Sequence, residues 1–449
     1  MKDKILAAAE KHKQLILDAE RYIWNNPESG YREWKTHRYL KERYEALGYT
    51  LVEAGNIPGF YTDIDTGREG PTVMILGEMD SLIIPDHPEC DKETGAVHAC
   101  GHHAQSAALL GVAAILREPG ILDGLCGKIR LCAVPAEEGI ELEFRKELKK
   151  QGIISQVSGK AEFICRGWMD DVDMAFITHT TGGDPGRISS TGAGGNGAIC
   201  KTVEYKGVSS HAGGSPWAGV NALYAANIGI TAINALRETF RDSDKVRVHP
   251  IITAGGTVVN AIPETVKMES YVRALTVEAM ERENKKVNRA IAASAAAMGA
   301  RVTISDEMAF APNRNNPMMR QAVKMAGTAI LGEENTRVEG DALASSSTDM
   351  GHLSCIMPTV HPNMSGAGGR AHSPLFTIVD PYSACVQSAE FQVMMARVLL
   401  ENGASYAKSV LSEHKPLFGK QEYKEYLAKA SGEYDAVQYN DDGTITIKV

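Results

Sequence analysis

Apolar residues recur every three to four positions near the start of the chain, where Ile5, Leu6, Ala9, Leu15, Ile16, Ala19, Tyr22 and Ile23 fall on one face. This spacing predicts an amphipathic helix over residues 3–25, closed by Asn25-Asn26-Pro27. A second helix is expected over 33–47, with Tyr39, Leu40, Tyr44 and Leu47 on one side and Gly48 as its stop. The pattern then shortens. Three apolar runs of strand length come next, Val73 to Leu76, Ile129 to Val134 and Met174 to Ile177, and each leads into acidic residues or a histidine: Glu78 and Asp80, Glu137-Glu138, and His179. In open α/β sheets, ligands gather outside the carboxyl ends of the strands, so these three termini are expected to face one crevice. Ala104 to Leu116, rich in Ala and Leu, reads as a buried helix.

A different pattern begins after the glycines at 192, 194, 195 and 197, which read as a hinge. Strands are expected over 198–206, 248–259, 265–274 and 301–305, with helices over 216–239 and 277–298. This β-α-β-β-α-β order is that of ferredoxin-like domains and predicts an inserted domain at 196–310, with 1–195 and 311–449 forming the catalytic domain. The fold expected is α/β. Residues 382–403 read as a closing helix, and Asn440-Asp441-Asp442-Gly443 as a hairpin turn in a polar tail.

Composition narrows the class of protein. A chain of 449 residues with 43% hydrophobic content has enough apolar material for two or three domains. Its 47 basic and 56 acidic residues leave a net charge of -9, with no basic run to track a phosphate backbone, so nucleic acid is not the expected partner. No stretch resembles a signal peptide or a membrane span, and the eight scattered cysteines lack the density of a secreted disulfide scaffold. A cytoplasmic protein with reduced thiols is expected.

Candidate chemistry centres on Val97-His98-Ala99-Cys100-Gly101-His102-His103-Ala104-Gln105, where sulfur and imidazole donors crowd together as transition-metal sites require. A cluster alone does not make a site, since buried cysteines commonly pack as small hydrophobes. Glu137-Glu138 is a stronger signal. Adjacent carboxylates repel, yet suit a site where one binds metal and the other takes a proton from water. His372, in a Gly-rich loop, is a further candidate ligand.

With these residues in view, the chain resembles the M20 metallopeptidases, in the amidohydrolase branch that acts on N-acyl amino acids, indole-acetyl amino acids and aminobenzoyl-glutamate. The resemblance runs in order through Asn26-Pro27-Glu28-Ser29-Gly30-Tyr31, Gly77-Glu78-Met79-Asp80, His98-Ala99-Cys100-Gly101-His102, Pro135-Ala136-Glu137-Glu138-Gly139 and His179. It continues through Ser210-His211-Ala212, the segment from Gly255 to Pro263, Arg273, Ser347-Thr348-Asp349-Met350-Gly351 and Ala371-His372-Ser373-Pro374. It implies a zinc-peptidase-like catalytic domain with a mixed sheet, and an inserted lid that also forms a homodimer. Two divalent ions, zinc or manganese, would be held by Cys100, His102, Glu138, His179 and His372. Glu137 would be the general base, and His211 would stabilise the oxyanion, reaching the partner subunit's active site. Asn260 and Arg273 would hold a substrate carboxylate or support the interface, and Asp80 would orient a ligating histidine. The substrate implied is a small amide or peptide; no membrane is involved.

The chain departs from the family at one place: Cys-Gly-His-Asp-x-His is replaced by Cys100-Gly101-His102-His103-Ala104-Gln105. His103 is then either an altered residue behind the ligands or simply the start of a helix. Two other readings compete with metal-assisted hydrolysis: a thiol nucleophile at Cys100 assisted by His102 or His103, and a non-catalytic binding protein on the same scaffold.

Overall fold

In the computed structural model, which describes every residue except Thr191 and Ser345, the three apolar runs are parallel neighbours in one sheet. Its six strands lie in the order Val52–Glu53, Phe60–Asp65, Lys128–Val134, Thr72–Glu78, Met174–Ile177 and Thr359–Val360. Thr72–Glu78 is the hub, parallel to Lys128–Val134 on one side and to Met174–Ile177 on the other. All seven of its residues are buried, as expected of a strand covered on both faces. Because these strands run the same way, Glu78, Glu137, Glu138 and His179 stand at carboxyl ends on the same edge of the sheet.

The helix predicted at 104–116 starts two residues earlier, at His102, and every residue to Leu116 is buried. It packs against Thr72–Glu78, Lys2–Trp24 and Ser388–Glu413. Removing side chains such as Leu109 and Leu110 from water contributes about 1.5–3 kcal/mol each, which fixes this helix, and hence the loop ahead of it, firmly on the sheet. A second sheet in the same unit has Pro362–Gly368 at its centre, bordered by Ile188–Ser190, His179–Gly182 and Thr377–Ile378.

The chain divides into two compact units, Met1–Gly194 with Asn313–Ala344 and Asp349–Tyr423, and Gly195–Pro312 with Ser345–Thr348 and Lys424–Val449. In the second unit the strands Gly197–Lys206, Thr265–Ala274 and Arg301–Phe310 form an antiparallel sheet, ordered Arg247–Val248, Thr265–Ala274, Gly197–Lys206, Arg301–Phe310 and Gly432–Asp435, with Ile251–Ala254 also on Thr265–Ala274. Burial alternates along Gly197–Lys206 and Thr265–Ala274. The helices Ala222–Leu236 and Val277–Met298 pack on each other and on this sheet. Their starts are capped by Asn221, which accepts from the amides of Leu223 and Tyr224, and by Thr276, which accepts from that of Ala279.

Several expectations need correction. The helix expected over 216–239 is divided: a 3-10 turn at Pro216–Ala218 ends at the extended Gly219, and the α-helix starts only after its Asn221 cap. The strand expected over 248–259 is interrupted at His249-Pro250, where proline has no amide to donate, and ends at Ala254. The closing helix begins with a π-helical turn at Tyr382–Gln387 and continues to Glu413 across a non-helical link at Glu401–Ala404. The tail, expected with the rest of 311–449 in the first domain, departs from it: Lys424–Val449 belongs to the second unit, because Gly432–Asp435 adds an antiparallel strand to Arg301–Phe310. Of the loop Ser345-Ser346-Ser347-Thr348-Asp349-Met350, Ser345 lies outside the described residues. Among the described residues no helix is long and apolar enough to cross a membrane.

Candidate metal and hydrolytic site

The loop after the short strand Ala96–Val97 brings Cys100 to the mouth of the buried helix. Gly101 makes the turn possible: its φ is +92°, and a Cβ there would stand 3.1 Å from that of Thr180. His102 is the first residue of the helix. Its Nδ1 lies 2.9 Å from the Asp80 carbonyl oxygen and 3.0 Å from Asp80 Oδ1. Both are acceptors, so Nδ1 carries a proton and Nε2 is the ring nitrogen left to take a metal. Asp80 also accepts, through Oδ2, the Glu138 amide at 2.8 Å. One buried carboxylate thus fixes two neighbours.

His179, at the start of the strand His179–Gly182, obeys the same logic. Its Nδ1 faces the Thr180 carbonyl at 2.8 Å, leaving Nε2 toward Cys100 Sγ at 3.4 Å. His372 has φ +59° and an amide that donates to the Ala99 carbonyl at 2.9 Å, which ties the late Gly-rich loop to the early Cys/His loop. Its Nε2 is 3.3 Å from Glu138 Oε1. Glu137-Glu138 comes directly after Ala136, another non-glycine residue in the left-handed region, at φ +55°. The Ala136 amide donates to buried Glu33 at 2.8 Å. Two strained backbones at one site are the kind of cost that packing sustains where geometry matters.

The five ligands expected from the resemblance converge. Cys100, His102 and His179 form one group of donors within 4.8 Å of one another, Cys100, Glu138 and His372 a second, and His102, Glu137 and Glu138 a third. Buried His102 Nε2 and Glu138 Oε1 make no hydrogen bond. Lone-pair donors so placed are costly unless a cation lies among them, and mixed sulfur, nitrogen and oxygen donors suit a divalent transition ion. The residues present fit a metal.

Electrostatics separates the paired carboxylates. Burial, followed by the charges of Glu78, Glu138 and Asp349, pushes Glu137 well above the usual carboxylate range. Burial also disfavours the charge on Glu138, but His372 and His102 outweigh it and hold that carboxyl low. Burial pushes the Cys100 thiol up.

His98 and His103 join none of these donor groups. His103 is fully buried one position inside the helix, with Nε2 3.4 Å from Glu20 Oε1 and its ring 4.8 Å from that of Trp24. It packs against the first helix. Two further groups, Lys160 and Asp349, not expected from the sequence as neighbours of the site, stand beside it with Glu78, whose strand end was expected to face the crevice. Lys160, fully buried, donates to Glu78 Oε1 at 2.6 Å and is ion-paired with Asp349, and Glu78, Glu137 and Asp349 form a fourth cluster of possible donors. Glu78 and Asp349 at least stand within motifs; Lys160 has no local signal at all, and only its burial singles it out.

The remaining predicted residues lie in the second unit. His211 is exposed, and its Nδ1 accepts from the amides of Gly213 and Gly214 at 3.1 and 2.8 Å. Asn260 is exposed, and its carbonyl accepts the Ala212 amide at 2.9 Å. Arg273 stacks over Tyr271 at 4.4 Å and has a buried Nε that makes no hydrogen bond.

An α/β sheet with buried Cys, His and Glu donors gathered beyond its carboxyl edge is the arrangement of a metal site. Residues 60–390 match the model of peptidase family M20/M25/M40, and the chain belongs to that family. It is 28% identical over 362 residues to a Xaa-Arg dipeptidase of Mus musculus, covering 76% of this chain and 74% of that one. It is 26% identical over 431 residues to IAA-amino acid hydrolase ILR1-like 5 of Arabidopsis thaliana, covering 90% and 92%. Among solved structures it is similar to the Bacillus subtilis YXEP protein, described as a dinuclear metal binding peptidase of the M20 family, with TM-score 0.65, 20% identity and coverage of 87% and 99%. At that identity the likeness is one of fold.

Proposed function

We propose that the protein hydrolyses the amide bond of an N-acyl amino acid, an aryl-amide conjugate or a dipeptide, using two divalent ions, zinc or manganese. The carrying observation is the convergence of Cys100, His102, Glu138, His179 and His372, two of whose atoms, His102 Nε2 and Glu138 Oε1, make no hydrogen bond, with Glu137 beside them. The relatives' names, a dipeptidase and an amino-acid conjugate hydrolase, support this substrate class.

When bound, divalent ions polarise the substrate carbonyl and make water acidic enough to attack it near neutral pH. The chain's own residues supply the rest. Glu137 accepts a proton from the attacking water and returns it to the leaving amine, a role helped by the burial and neighbouring carboxylates that raise its pKa. Asp80 keeps His102 in the tautomer that offers Nε2. His211 accepts through Nδ1, so its Nε2 carries the proton and serves as donor to the developing oxyanion. Arg273 and Asn260 hold a substrate carboxylate or support the interface; the unsatisfied Arg273 Nε favours the former.

The second unit's strand order and its two helices fit a ferredoxin-like lid, which we also read as the dimerisation domain. Its exposed strand Ile251–Ala254 and the exposed Trp217, Tyr224, Val258 and Val259 suit burial against a second copy. His211 would then act in the partner's site. All eight cysteines are free, which fits a reducing cytoplasm. A thiol-nucleophile reading is not favoured, since Cys100 Sγ stands with His102 and His179, and with Glu138 and His372, as one donor of a metal-ligand set. The test is hydrolysis of a panel of N-acyl amino acids and dipeptides by zinc- or manganese-loaded protein: chelator-sensitive turnover is expected, and no turnover of any amide would refute the proposal.

A further inference from the structure

Glu78 ends the central strand fully buried, and only one of its carboxylate oxygens is satisfied. Lys160 donates to Oε1 at 2.6 Å. Lys160 is itself fixed by Asp349, whose carboxylate also accepts the Lys160 amide at 3.1 Å. Glu78 therefore cannot swing away without breaking a buried ion pair. The other oxygen, Oε2, makes no hydrogen bond and stands 3.3 Å from His102 Nε2, which makes none either.

The tautomer of His102 makes this approach informative. With the proton held on Nδ1 by Asp80, Nε2 and Glu78 Oε2 are two lone-pair donors facing each other in a dry environment. Such a pair is held together either by a proton on Nε2 or by a cation, and 3.3 Å is long for the charge-assisted hydrogen bond that a proton would give. Two donors about 2.0–2.1 Å from one tetrahedral ion stand about 3.3–3.4 Å apart. The Glu78–His102 separation matches that edge, as does the 3.3 Å between His372 Nε2 and Glu138 Oε1; the 3.4 Å between Cys100 Sγ and His179 Nε2 is slightly under the about 3.5–3.6 Å that a longer metal–sulfur bond sets. Of these three approaches, only the first involves a residue outside the five expected ligands.

We infer that Glu78 is a sixth protein ligand, binding through Oε2 the same ion as His102 Nε2, with Lys160 holding its other oxygen so that one oxygen alone faces the metal. An added carboxylate makes the His102 side of the site harder and more anionic, which favours manganese or zinc over softer ions. This rests on the metal-dependent reading above, but its failure is separable from the failure of that reading.

Anomalous diffraction from crystals of the wild-type protein grown with manganese provides the test. An ion within about 2.2 Å of Glu78 Oε2 is expected. Ions held by the Cys, His and Glu138 donors, with both Glu78 oxygens more than about 3 Å away, would overturn the inference and leave the hydrolase reading intact. No ion anywhere in the cluster would overturn both. In solution, Glu78→Gln should weaken manganese binding about 10- to 100-fold at one of two sites by calorimetric titration, leaving the other within about 2-fold. Two unchanged affinities in a folded variant, verified by circular dichroism, would count against Glu78 as a ligand.

Discussion

At the scale of single residues, the surroundings push two neighbouring carboxyl groups in opposite directions. Glu138 is kept ionised by imidazoles, whereas Glu137 sits among buried carboxylates that resist a further negative charge. Glu137→Gln should therefore lower kcat by about 10²–10⁴-fold while bound metal stays at the wild-type level, as measured by steady-state kinetics and elemental analysis of the same preparation. Distant from the chemistry, Glu390 carries a stability signal. It is 2% exposed, and burial, followed by the Glu10 carboxylate, pushes its pKa from 4.5 up to about 7, with Lys2 opposing. The folded state thus binds this proton more tightly than the unfolded one, so its contribution to stability falls as pH rises from about 4.5 through 7. Glu390→Gln should match the wild type near pH 4.5 and exceed it by on the order of 1–3 kcal/mol at pH 8, as read by urea denaturation at both pH values.

At the scale of elements, the late strand Gly432–Asp435 closes the edge of the second unit's sheet and is anchored from inside. Tyr434 OH accepts from Asn288 Nδ2 at 2.8 Å, and Asn288 in turn belongs to a buried network with Lys201, Asp306 and Asn284. Tyr434→Phe should cost about 1 kcal/mol in urea denaturation, the net worth of one such hydrogen bond. Ending the chain at residue 431 removes the strand and leaves the Arg301–Phe310 edge unpaired, so concentration-dependent aggregation in light scattering is expected. The same element shows the limit of reading the tail from its polar composition. Its residues show no long apolar pattern, and only pairing with a strand some 130 positions earlier gives Gly432–Asp435 a place.

At the scale of the whole molecule, metal and assembly are the two linked variables. A ligand that binds only the folded chain stabilises it by mass action, so chelation should lower the Tm and added manganese should restore it, as monitored by calorimetry. For assembly, the proposed dimer predicts that the wild type sediments as a dimer and that Ile251→Lys, on the exposed strand of the second unit, sediments as a monomer with depressed turnover.

The sequence by itself determined the parallel strands and the polar residues at their carboxyl ends, because burial on both faces forces continuous apolar runs against which those residues stand out. It also carried the buried helix over 104–116, which starts two residues earlier at His102, and the motifs whose donor residues the fold brings together. What only the tertiary structure decided are the groups whose meaning lies in who faces them. Lys160 is one lysine in a short helix until folding buries it against Glu78 and Asp349. His103 is an imidazole beside a ligand until Glu20 and Trp24 enclose it. The division of the 216–239 helix and the break at Pro250 depended on caps and backbone donors that an apolar period does not register. Periodicity records which face of an element is buried; it carries no information on which two buried polar groups meet, and at this site that pairing sets the chemistry.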